Sequence, residues 1–326
     1  MNESIKVGDR SMVPVGLGLW KIDRSETAYI VAKAIEIGYR HLDSAADYGN
    51  EAEVGTGIAE AISRGHCNRE QLWITSKLWN TYHAKDHVRS ACERSLIDLG
   101  LDYLDLYLIH FPISLEFVSF QDRYPPGWYS GEDGTEESGM KIDPVPLSET
   151  WLAMEQLVES GLVRGIGICN YNTGLLNDLM AYARIKPVML QIEAHPYLTQ
   201  DNLIRQAKDY NIAVTAFSPL GSLSYVSLDM ATEHDSILQR PEVLEISNEV
   251  DRTPAQVVLK WGIQRGTAIV PKTVQLKRLE ENIALFDFQL TDKHMESITS
   301  LNCNRRFNDP AVFCEDAFGK FYSIYD

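Results

Sequence analysis

Short apolar runs alternate with amphipathic stretches along the whole chain of 326 residues. The runs are VGLGLW (15–20), YRHLD (39–43), LWITSKLW (72–79), DLYLIHFP (105–112), VRGIGICN (163–170), VMLQIEAH (188–195), AVTAFSPLG (213–221) and TAIVPK (267–272). They are rich in Val, Ile, Leu and aromatics and do not alternate strictly with polar residues. Strands buried on both faces of a parallel sheet read this way, because neither face meets water.

Helical periodicity fills the intervals, at residues 25–37, 51–63, 85–99, 149–160, 173–183, 200–210, 240–250 and 277–284. Ser25 is expected to open the first of these. Thr253-Pro254 opens a further stretch, 253–265, with an N-cap followed by a proline at the first helical position. About eight strands, each followed by a helix, with no break in composition, predict an α/β chain. The expected architecture is a single (β/α)8 TIM barrel spanning residues 1–326, in preference to an open doubly wound sheet.

Two long irregular stretches interrupt the rhythm, residues 113–148 after the fourth strand and 222–239 after the seventh. Loops of this length in a compact domain usually carry function, and in a barrel they lie on the face where active sites form. The tail after residue 300 is aromatic-rich and is expected to fold back over that face.

Composition narrows the function classes. Hydrophobic residues make up 44% and charged residues 23%, as in a water-soluble globular protein. A formal net charge of −16 opposes attraction to nucleic-acid phosphates or anionic lipid. The five cysteines (Cys67, Cys92, Cys169, Cys303, Cys314) show no metal-type spacing and are dispersed, as in a reducing cytosol. No apolar run approaches the roughly 18 residues of a membrane span, and the first residues lack an apolar core. The expected location is cytoplasmic, with no metal, nucleic acid or membrane partner.

Barrel enzymes carry catalytic groups at the carboxyl ends of their strands. There the sequence places Asp43 and Tyr48 after the second strand, Lys77 in the third and His110 at the end of the fourth. Singly, each has a structural reading: a strand-end ion pair, a core aromatic, a hydrogen-bonded histidine. Together they fit one reaction. Hydride transfer to a carbonyl leaves an alkoxide that needs a proton. A tyrosine, with its ordinary pKa near 10, is expected to supply it once a neighbouring ammonium, Lys77, draws that pKa down. A buried lysine needs a carboxylate, and Asp43 is its candidate.

The ordered segments GLGLW, DSAADYGNE, TSKLW, DYLDLYLIHFP, GIGICN, QIEAHPYL, SPLG and PKTVQLKRLEEN resemble the aldo-keto reductase family across essentially the whole chain. The resemblance implies a tetrad of Asp43, Tyr48, Lys77 and His110, with Tyr48 as acid and His110 orienting the carbonyl. It implies direct hydride transfer from a nicotinamide, without a metal.

For the cofactor, neither G-x-G-x-x-G after a first strand nor a Walker A motif is present. Phosphate sites in barrels often form after strands seven and eight, and Lys272, Thr273 and Arg278 follow the eighth, where two cations and a hydroxyl suit a 2′-phosphate. The resemblance adds Glu281 and Asn282 on the adenine, and Ser218, Leu220 and Ser222 over the pyrophosphate. It places Cys169, Asn170 and Gln191 at the carboxamide and Phe217 against the nicotinamide ring. Two departures stand out: Cys169 replaces the usual serine and Phe217 the usual tyrosine. Val274 stands where dual-cofactor xylose reductases often have asparagine, which favours NADPH over NADH.

Trp20, Trp79, Phe111 and Trp128 are expected to line an aromatic pocket. Asp47 and Asn308 match positions that contact sugar hydroxyls in yeast-type xylose reductases. The segments FVSFQDRYPPGWYSGEDG and RRFNDP strengthen that resemblance, whereas the last residues, AVFCEDAFGKFYSIYD, depart from it. Reduction of an open-chain aldose to its alditol is the leading expectation. Alternatives are an aldose-6-phosphate reductase, with Lys21, Arg305 and Arg306 as an anion site opposed by acidic Glu132, Asp133, Glu136 and Glu137, or a general aldehyde and ketone reductase. An NADP-binding regulatory subunit is a remote alternative. Relatives are monomers or homodimers, and both remain open.

Overall fold

The computed structural model describes residues 4–128 and 141–325. It opens with an antiparallel hairpin that the sequence pattern does not reveal, β1 (Ile5–Val7) and β2 (Arg10–Met12). Strands of three residues are too short to show a period. Val7 and Met12 bury themselves beside Trp73, Leu106, Leu108, Met189 and Ala268, so the hairpin plugs one end of the barrel. Arg10 and Arg69 both pair with the buried Asp105, which also accepts the Ile74 amide at 3.0 Å.

Eight parallel strands follow in one sheet, ordered as in the chain. They are β3 (Leu17–Gly18), β4 (His41–Asp43), β5 (Trp73–Leu78), β6 (Leu106–Ile109), β7 (Ile166–Cys169), β8 (Met189–Glu193), β9 (Ala213–Phe217) and β10 (Ala268–Ile269). Each predicted run contains one of them. Every residue of β3 to β8 is buried, which explains why the runs were apolar without alternation. The sheet closes at a parallel bridge between Val15 and Ile269, with the Ile269 amide donating to Pro14 O at 2.7 Å and the Gly16 amide to Ile269 O at 2.8 Å. The seam requires glycine at position 18, since a Cβ there would lie 2.6 Å from the Val270 carbonyl oxygen.

Helices α1 (Arg24–Ile37), α2 (Glu51–Ser63), α3 (Lys85–Leu99), α4 (Leu147–Glu159), α5 (Thr173–Tyr182) and α6 (Asp201–Asp209) surround the barrel. Helices α7 (Pro241–Val250) and α8 (Pro254–Gln264) both lie between β9 and β10, and α9 (Leu276–Ile283) and α10 (Asp292–Thr299) follow β10. The α8 start matches its expectation: Thr253 caps it in a reciprocal box with Gln256, and Pro254 is the first helical residue. The α1 start does not. Its cap is Asp23, whose carboxylate accepts the Ser25 amide at 2.8 Å, so Ser25 lies inside the helix.

Residues 222–239 form short 3-10 turns, Gly221–Ser224, Val226–Leu228, Glu233–Asp235 and Ile237–Gln239, with no long free loop. The tail does fold back. Short helices α11 (Pro310–Phe313) and α12 (Glu315–Phe318) and the final turn bury Cys314, Ala317, Phe318 and Ile324 against the main core. Among the described residues no helix is long and apolar enough to cross a membrane.

Candidate active site

The carboxyl ends of the strands surround a cavity of about 1000 Å³, at the upper end for small-molecule pockets. Its floor is set by two strands and a turn. Asp43 ends β4, and a 3-10 turn, Ala46–Tyr48, closed by the left-handed Gly49 (φ 72°), swings Tyr48 back over the barrel mouth. Lys77 lies in the neighbouring β5. Its ammonium donates to Asp43 Oδ1 at 2.6 Å, Ser44 O at 2.8 Å and Tyr48 Oη at 3.1 Å. Those three acceptors use all of its protons. Because Tyr48 Oη accepts from Lys77, its own hydroxyl proton is directed elsewhere, and Tyr48 lines the cavity.

The electrostatics correct one expectation. Burial would discharge Lys77, but Asp43 and then Tyr48 outweigh it and hold the ammonium above its ordinary pKa. Burial likewise drives the Tyr48 phenol above the ordinary tyrosine value, and Lys77 pulls it back only in part. The phenol is thus held above its ordinary value, instead of being drawn down overall. Desolvation wins because a phenolate crowded by protein loses hydration, and a single ammonium does not replace it.

His110, which follows β6, presents its ring edge to Tyr48 with centroids 5.9 Å apart and stacks on Phe111 at 4.9 Å. Its Nδ1 lies 3.1 Å from Asp47 Oδ1, a buried contact that lacks hydrogen-bond geometry. Trp20, Asp47, Phe111, Trp128 and Asn308 line the same cavity. Trp79 does not: it is fully buried behind the wall, edge-on to His110 at 5.4 Å and to Trp128 at 4.9 Å. It acts as packing for the wall that the sequence reading had it form.

The cavity continues over the positions assigned to a cofactor. Asn170, Gln191, Phe217, Ser218 and Leu220 line one part, and Lys272, Thr273, Val274, Arg278, Glu281 and Asn282 another. Cys169 and Ser222 are buried just behind. Gln191 Nε2 donates to Asp43 Oδ2 at 2.6 Å, tying this part to the Lys77 network. Cys169 Sγ is 3.9 Å from Gln191 Oε1, a weak contact. Asn170 holds a left-handed backbone (φ 62°), donates to His110 O at 2.8 Å and accepts the Tyr325 hydroxyl at 2.7 Å. Lys272 and Arg278 form no ion pair among the described residues. They are cations without local partners at the mouth of a cleft, and they suit an anion.

Lys21 donates to Ser227 Oγ at 2.7 Å and Ser224 O at 3.1 Å, which draws the 222–239 stretch across the cleft. Arg305 pairs with Asp235 at 3.0 Å, and the Arg306 guanidinium lies 3.5 Å from the Tyr325 ring centroid. Neither arginine lines the cavity. Of the three cations proposed for a sugar phosphate, the two arginines are thus engaged away from the cavity and Lys21 lines it, while acidic Glu132, Asp133, Glu136 and Glu137 lie outside the described residues. Sequence reasoning missed Tyr225. Its buried hydroxyl sits between Ser218 Oγ (2.8 Å) and Asn308 Nδ2 (3.3 Å), and its ring meets Trp20. A lone aromatic in the serine-rich run GSLSYVS was the available signal. Among the described residues no group of three His, Cys, Asp or Glu side chains is arranged to hold a metal ion.

A parallel barrel with a lysine-bound phenol at its mouth, opening into a cleft that ends in free cations, defines an oxidoreductase working on carbonyls with a dinucleotide. The profile of the Aldo/keto reductase family matches residues 14–303, and the chain belongs to that family. It is 45% identical over 310 residues to a probable NAD(P)H-dependent D-xylose reductase of Aspergillus fumigatus, covering 94% of this chain and 97% of the relative. It is 43% identical over 311 residues to the NADPH-dependent aldose reductase of Saccharomyces cerevisiae, covering 94% and 95%. The crystal structure of a Bombyx mori aldo-keto reductase in complex with NADP superposes with a TM-score of 0.82 at 35% identity, covering 94% of this chain and 95% of that one.

Proposed function

We propose that this protein reduces the aldehyde of a neutral open-chain aldose to the alditol with NADPH. The observation that carries the substrate class is that the polar residues Asp47 and Asn308 line the cavity beside Trp20, Phe111 and Trp128. The hydroxyl groups of an open-chain aldose can donate to both side chains. The engagement of Arg305 and Arg306 with protein partners away from the cavity weakens the sugar-phosphate alternative.

The residues fit the cofactor. Asn170 and Gln191, with Cys169 behind, would hold the carboxamide and Phe217 the nicotinamide ring; Ser218 and Leu220, with Ser222 behind, would hold the pyrophosphate. Lys272, Thr273 and Arg278 would hold the 2′-phosphate, with Val274 beside them and Glu281 and Asn282 for the adenine. Bound there, NADPH supplies the hydride. Lys77 holds Tyr48 Oη so that the phenolic O–H points into the cavity and delivers its proton to the developing alkoxide. Asp43 keeps Lys77 charged, and His110 hydrogen-bonds the carbonyl oxygen and orients it. The free, dispersed cysteines support a reducing, cytoplasmic setting.

The test is NADPH oxidation against xylose, arabinose, glucose, glucose 6-phosphate and an aromatic aldehyde, repeated with NADH. A higher kcat/KM for a neutral aldose supports the reading. A preference for the phosphorylated sugar, or turnover of the aromatic aldehyde alone, sinks it.

A further inference from the structure

We infer that Glu193 is a positioning residue that anchors the C-terminal tail and thereby aims Asn308 at the substrate. The inference rests on the aldose reading above. Glu193 ends β8, two residues after Gln191, and its side chain is fully buried. A buried carboxylate is tolerated only when its oxygens are satisfied, and here the donors come from the tail. Glu193 Oε1 accepts the Phe307 amide at 2.8 Å and Oε2 accepts the Asn308 amide at 2.9 Å. His195 Nε2 lies 2.9 Å from Oε1, and the His195 ring packs on Phe307 with centroids 5.3 Å apart.

Residues 304–308 belong to no helix or strand, so the Phe307 and Asn308 amides have no backbone ladder to join. Clamping two successive amides fixes the peptide plane between Phe307 and Asn308, and with it the direction in which the Asn308 side chain leaves the backbone. That side chain spends Nδ2 on Tyr225 Oη at 3.3 Å. Asn308 lines the cavity, and its Oδ1, shielded from solvent, accepts no hydrogen bond, so a small rotation of the side chain would present it to a substrate hydroxyl. Tyr225 is in turn bonded to Ser218. A continuous hydrogen-bonded chain therefore runs from the end of β8, through the tail, to the loop after β9. The QIEAHPYL motif thus does two jobs: Gln191 serves the Asp43 network, while Glu193 and His195 serve the tail.

The test combines Glu193→Gln and Asn308→Ala, singly and together, in the full-length protein. Gln keeps the shape but presents an amide N–H to one of the tail amides. For xylose, Glu193→Gln is expected to raise KM about tenfold, the scale of one lost hydrogen bond, with kcat little changed and NADPH affinity within about twofold. The KM for butanal, which has no hydroxyls, stays put. Amide exchange in a peptide covering residues 303–309 accelerates. The double variant is no worse than Asn308→Ala alone, because the two act through one contact.

Additive losses in the double variant would overturn the inference, as would an equal KM rise for butanal, or faster exchange with xylose KM unchanged. Should Glu193→Gln fail to fold, Glu193→Asp keeps the charge on a shorter arm, and the same split between xylose and butanal is expected at smaller size. A wild-type protein that favours butanal over xylose would instead sink the aldose reading, while slow exchange of the Phe307 and Asn308 amides that is lost in Glu193→Gln would still establish the anchor.

Discussion

Lys77 Nζ lies 3.1 Å from Tyr48 Oη as donor, and so dictates where the tyrosine's own proton can point. The ammonium has no proton to spare, since Asp43 and Ser44 take the other two. Changing Tyr48 to Phe removes the one hydroxyl this geometry aims at the cavity. The kcat/KM for aldehyde reduction should fall by about 10²–10⁴, the usual contribution of a placed general acid. NADPH affinity measured by fluorescence quenching should hold within about twofold. A Tyr48→Phe protein that retains full turnover would remove Tyr48 from the role.

Lys77 and Asp43 form a fully buried ion pair at 2.6 Å. Changing Lys77 to Met leaves Asp43 charged and without its cation, at a cost of about 3–5 kcal/mol in stability. Denaturant melts should register that loss together with the loss of activity. Adding Asp43→Asn should restore much of the stability and none of the turnover. Failure to separate the two would mean the pair is structural only.

Arg278 is exposed at the cleft and forms no ion pair among the described residues. Its change to Ala should raise the NADPH dissociation constant about tenfold or more, as for loss of a charge-assisted hydrogen bond, and leave that for NADH nearly unchanged. The NADPH effect should shrink as salt is raised. Equal losses for both cofactors would remove the 2′-phosphate assignment.

Burial pushes the Glu51 carboxyl up to about 7, against the hydroxyls of Ser76 and Ser95, which donate to it at 2.6 and 2.8 Å. Nearby Asp98 and Asp47 push in the same direction as burial. The folded pKa lies above the unfolded one, so folding takes up a proton between them. The associated stability is complete below about pH 4.5 and is lost as pH rises through about 7, a change of about 3 kcal/mol. Glu51→Gln should abolish that part of the profile. Its stability advantage over the wild type should grow across this window and level off above it. Parallel profiles for the two proteins would refute the shift.

The barrel was legible in the amino-acid sequence because strands buried on both faces must be apolar throughout, and strand ends are where a barrel can expose polar chemistry. Asp43, Tyr48, Lys77 and His110 could therefore be picked out together, although they lie far apart along the chain. Short elements escaped: the β1–β2 hairpin carries too few residues for a period, and Asp23 outcompeted Ser25 as a cap through its own side-chain geometry. Free and occupied polar groups look identical in a sequence. Lys21, Arg305 and Arg306 read as one anion site until Asp235 and the Tyr325 ring claimed the two arginines and left Lys21 alone at the cavity. Trp79 read as a pocket wall until Trp128 and His110 covered it. The net direction of the Tyr48 phenol also had to come from the fold. Local residue order sets which groups exist and which strand carries them. Only the packed chain decides how much water each group loses and which partner replaces it, because burial and hydrogen bonding are made between segments far apart in sequence.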